Sequence, residues 1–171
     1  MINKEKLTSE LDIIFKIKDC NSICNQIDVM KDLLKKDESF VINTFKSLDE
    51  DSKDIFSKIL DYLDGSIYLC SIWKKSDGDM KSFIDLLSLG WTSDTYDKFE
   101  EFRAQQFRNP IICETTDLYT ETKNESEDAD FDSIKDYLRD NYGTIDDFFL
   151  STVKDYYFEN INELLTNLNI T

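Results

Sequence analysis

Residues 52–65, SKDIFSKILDYLDG, put apolar side chains at Ile55, Phe56, Ile59, Leu60 and Leu63 with charged or polar ones between them. Steps of one, three and four residues are the repeat of a helix with one buried face, and they conflict with the strict alternation of a half-buried strand. Ser52 stands where a side-chain oxygen caps a first turn, and Gly65 where a helix commonly ends.

The same repeat extends in both directions. Leu7, Leu11, Ile14 and Phe15 predict one amphipathic helix, Ile23, Ile27, Met30, Leu33 and Leu34 a second, and Phe40, Val41, Thr44, Phe45 and Leu48 a short third. The run from Ile67 to Trp73 is too short to reveal its period; with no partner strand in view, a helix is the expectation. Beyond it, Asp79 precedes Met80, Phe83, Ile84 and Leu87. Ser93 precedes Tyr96, Phe99, Phe102 and Phe107, and Asn109-Pro110 stops that run. Phe131, Ile134, Tyr137 and Leu138 form a further short helix ended by Gly143. From Ile145 to Leu168 the helical step continues almost to the end, as one long helix or two abutting ones. The expected fold is all-α, a bundle of about seven or eight helices in a single domain over 1–171. The β-branched, then polar, stretch 111–130 is expected to be an acidic loop, with room for a short β-hairpin over 111–122.

Composition agrees. Only 4 Gly and 1 Pro occur in 171 residues, which leaves little turn chemistry for hairpins. Twelve Phe and 8 Tyr supply the apolar surface that opposes chain entropy. The longest nearly apolar run, Ser66 to Trp73, is far below the roughly 20 residues needed to span a bilayer. Cys20, Cys24, Cys70 and Cys113 are too sparse for a disulfide scaffold, and the sequence starts Met1-Ile2-Asn3-Lys4 with no apolar signal core. A reduced, cytoplasmic setting is the expectation.

Function classes fall away in turn. There is no histidine, so Ser-His and Cys-His relays and histidine-containing zinc sites are excluded. Gly65, Gly78, Gly90 and Gly143 lie too far apart for a phosphate-cradling loop. Cys20 and Cys24 are one helical turn apart if the first two helices are continuous there, but with no CxxC they read as small buried hydrophobes. Asp49 and Asp51, and Asp128, Asp130 and Asp132, resemble the start of a calcium loop. Asp54 and Leu60, and Ser133 and Arg139, then stand where such a loop needs Gly and Glu. Charge at helix N-termini explains these aspartates better. No cofactor, no metal and no enzymatic activity are expected.

What remains is charge. Thirty-six acids against 20 bases give −16, a field that repels phosphate backbones and anionic lipid and hastens encounter with a basic partner. The charge is uneven: residues 1–36 carry 6 acids and 7 bases, net +1, whereas 114–147 carry 12 acids and 3 bases, net −9. Aromatics sit among the acids, and rings ringed by carboxylates suit a basic protein surface. The candidate contact residues are therefore Asp117, Tyr119, Glu121, Glu125, Glu127, Asp128, Asp130 and Asp132 in the acidic segment, with Asp155, Phe158 and Glu159 in the last helix. Tyr156 and Tyr157 lie on that helix's projected apolar stripe and read as core, while Phe158 and Glu159 fall off it. A solvated loop is the competing reading for Asp117 to Asp132.

In size, acidity and style, as in Asp155-Tyr-Tyr-Phe-Glu-Asn160-Ile-Asn-Glu-Leu-Leu165, the chain resembles the acidic immunity proteins of bacterial polymorphic toxin systems, including contact-dependent growth inhibition. The resemblance implies a cytosolic inhibitor that neutralises a basic, nuclease-type toxin by covering its active or substrate-binding surface. The alternative is a virus-type host-modulating protein that takes an amphipathic helix in an apolar groove.

Overall fold

The structure, a computed structural model, describes residues 1–79, 81–83, 86, 136, 139–141 and 143–170. Among the described residues seven helical segments have both bounds defined: α1 (Lys4–Lys16), α2 (Cys20–Leu34), α3 (Glu38–Ser47), α4 (Glu50–Ser76), α5 (Ile145–Ser151), a π-helical segment (Thr152–Phe158) and α6 (Glu159–Asn167). No strand occurs among the described residues, and the fold is all-α. The acidic loop and hairpin expected over 111–130, like the helices expected from Ser93 to Phe107 and from Phe131 to Leu138, lie mostly or wholly outside the described residues.

Short polar side chains start these helices. Asn3 caps α1, accepting from the Lys6 N–H at 3.0 Å. Asp19 caps α2 through the Ser22 N–H at 2.8 Å, and Asp37 caps α3 through the Phe40 N–H at 2.7 Å. The cap of α4 is Asp49 and not Ser52: the Asp49 carboxylate accepts from the Ser52 N–H at 2.7 Å. Nor does Gly65 end α4, which runs on to Ser76. A glycine inside a helix costs about 1 kcal/mol, while the eight residues after it bury Ser66, Leu69, Cys70, Ile72 and Trp73, each large apolar group contributing about 1.5–3 kcal/mol. Burial wins, and the stretch of undecided period is helix. The chain leaves α4 through Asp77 (φ 52°) and Gly78 (φ 75°).

Two of these caps, Asp19 and Asp49, and Asp79, whose carboxylate accepts from the Ser82 N–H at 3.0 Å, tie stability to pH. Asp19 is held below its ordinary 3.8 mainly by the Ser22 side chain and then the Ser22 N–H. Asp49 and Asp79 are lowered chiefly by the N–H groups of Ser52 and Ser82. Because the unfolded carboxyls titrate near 3.8 and the folded ones lower, this stabilisation is complete above 3.8 and is lost as pH falls through the folded values. Asparagine keeps the acceptor oxygen and cannot titrate. Replacing all three by Asn is expected to flatten the acid limb of a melting-temperature profile taken from about pH 6 to pH 3; an unchanged limb would assign the acid sensitivity to other groups.

The described contacts form two compact units. One comprises Met1–Ile67 with Val153–Thr171. In it α1 packs against α2 and α6, and Leu7, Leu11, Ile14, Ile23, Ile27, Met30, Phe56, Ile59 and Leu63 are fully or almost fully buried. Cys20 and Cys24 both belong to α2, which starts afresh after Asp19, and both are buried. The Lys35 ammonium pairs with Asp64 at 2.9 Å, and Phe45 packs edge-on against Phe56 at 4.9 Å.

The other unit comprises Tyr68–Thr152. Its described core is aromatic: Trp73 stacks on Phe149 at 4.5 Å and meets Phe83 edge-on at 5.4 Å, while Phe83 also meets Phe148 at 6.3 Å. Such pairs add about 0.5–1.5 kcal/mol beyond area burial. Entry into α5 is a capping box: Asp147 N–H donates to Thr144 Oγ1 at 3.1 Å, and Thr144 N–H donates to Asp147 Oδ2 at 2.9 Å. Gly143 precedes it at φ +96°, where a Cβ would stand 2.5 Å from Asp147 Oδ2. Gly143→Ala should therefore lower the unfolding free energy by about 1–2 kcal/mol through left-handed strain and a displaced cap, read from denaturant melts.

Candidate functional site

The last helical run is where sequence and structure part most informatively. α5 and α6 are joined by the π-helical segment Thr152–Phe158. From Val153 to Phe158 is five residues, roughly 1.4 turns of an α-helix but about one turn when hydrogen bonds run from i to i+5. The wider winding therefore returns both Tyr157 and Phe158 to the side of Val153, and all three are fully buried. Asp155 and Glu159 stay exposed.

Two lysines fasten this run to α1. At one end the Lys154 ammonium donates to the Ile17 carbonyl, just past the last residue of α1. At the other, the Lys4 ammonium in the first turn of α1 donates to the Leu168 carbonyl at 3.0 Å, just past α6. α1 and α6 are thus antiparallel, and each lysine serves carbonyls that a helix C-terminus leaves without an intrahelical donor. Tyr156 is half-buried, its ring against Tyr62 at 5.6 Å.

Between the end of α1 and this run lies a cleft of about 370 Å³, lined by Phe15, Asp155, Glu159, Asn160, Asn162 and Glu163. Phe15 is half-buried beside the fully buried Ile14, so its ring serves as wall and not as core. Asn160 is held by a hydrogen bond from its side-chain amide to the Tyr156 carbonyl at 2.6 Å. Asp155, Glu159 and Glu163 follow at four-residue steps, all exposed, and none has an ion-pair partner among the described residues. Glu159 and Glu163 share one face of α6, where four residues rise about 6 Å and a like-charge pair so spaced costs about 0.2–0.5 kcal/mol. A cationic group placed in the cleft offsets that repulsion and lies beside the Phe15 side chain.

No protein-family model, no curated protein and no solved structure matches the chain.

Of the residues picked out from sequence, Asp155 and Glu159 come together on the cleft. Phe158 does not: the π winding turns its ring into the core, so it presents nothing to a partner and leaves the contact set. Asp117, Tyr119, Glu121, Glu125, Glu127, Asp128, Asp130 and Asp132 lie outside the described residues. Phe15, Asn160, Asn162 and Glu163 are new to the set. Glu163 carried a signal, standing four residues after Glu159 and eight after Asp155. Phe15 carried none, since it shares the apolar step of Leu11 and Ile14. Among the described residues no three or more Cys, Asp or Glu side chains are placed so that they could hold a metal ion; Asp49, part of one calcium-like stretch, is the cap of α4. No helix among them is long and apolar enough to cross a membrane.

Proposed function

We propose that this chain is an acidic protein-binding inhibitor, an immunity protein or antitoxin that neutralises a basic, nuclease-type toxin in the cytoplasm by covering its active or substrate-binding surface. The observation that carries the reading is the cleft: three exposed carboxylates at Asp155, Glu159 and Glu163 beside the half-buried ring of Phe15. A toxin that grips a phosphate backbone must present Lys and Arg. An acidic surface with an aromatic wall attracts that same face by steering, then holds it through charge pairs and ring contact. Neither catalysis nor a cofactor is required of the inhibitor. The acidic segment Asp117–Asp132 is part of the proposal on charge alone, since residues 114–147 carry net −9.

The test is co-expression with the C-terminal region of whatever protein the gene immediately upstream encodes, with toxicity of that region, growth rescue and co-purification as readouts. Rescue together with a complex whose association slows as salt rises is the expected result. A toxic neighbour that is neither bound nor neutralised would overturn the proposal and favour the groove-binding alternative, to be pursued with amphipathic helical peptides.

A further inference from the structure

We draw no further inference here: the strongest candidate, the open cleft between the end of α1 and the π-helical run that leads into α6, is an acidic cluster already assigned to the proposed contact surface and has no second feature pointing to a particular ligand.

Discussion

Phe158→Ala is expected to lower the unfolding free energy by about 3–5 kcal/mol, the cost of emptying a buried aromatic site. Glu159→Ala, one residue on, should change it by no more than about 0.5 kcal/mol because that side chain is exposed. The contrast between adjacent positions reads the winding directly. In a continuous α-helix Phe158 lies off the apolar stripe, its removal leaves stability nearly unchanged, and any effect appears in partner binding. With the i→i+5 winding the ring is fully buried, and the loss appears in the denaturant midpoint of the free protein. Equal, small effects at both positions would overturn the π assignment. Tyr157→Phe is a useful companion, because it keeps the buried ring volume and should cost far less than truncating Phe158.

Most of the described helices are written in the 3.6-residue repeat. The apolar positions from Leu7 to Phe15, Ile23 to Leu34, Phe40 to Leu48 and Ile55 to Leu63 each mark a helix that the structure contains. The boundaries were less legible, for reasons that are physical. Ser52 and Asp49 are both good caps, and the carboxylate three residues earlier prevails because the helix gains a first turn and Ser52 is itself buried. Gly65 is a helix terminator only where nothing beyond it repays a longer helix, and here Leu69, Ile72 and Trp73 do. The π segment is invisible to a projection that assumes one helical period, which is why Phe158 falls off the projected apolar stripe and is nevertheless buried. Of the six residues that line the cleft, only Asp155 and Glu159 are legible as candidates in the sequence. Acids on the last helix announce themselves by spacing, whereas the ring that faces them belongs to α1, more than a hundred residues away, and only tertiary packing brings it there.

The double reversal Asp155→Lys/Glu159→Lys is expected to slow association with a basic partner about ten-fold at low salt and to flatten the dependence of that rate on salt. Both side chains are exposed, so each reversal should leave stability within about 0.5 kcal/mol, and a change in binding then reports on the surface and not on unfolding. Net charge alone also alters encounter rates, which makes a matched control necessary. Asp28 and Asp32 are exposed on α2 and do not line the cleft; reversing both changes the charge by the same four units. If the cleft is the contact, the Asp155/Glu159 variant associates much more slowly than the Asp28/Asp32 variant. Equal slowing assigns the effect to the overall field of a chain carrying −16 and removes the cleft as the docking site. Phe15→Ala separates steering from holding: a neutral aromatic wall leaves the association rate almost unchanged and raises the dissociation rate. Stopped-flow association across a salt series, with dissociation by competition, measures both limbs on the same three variants.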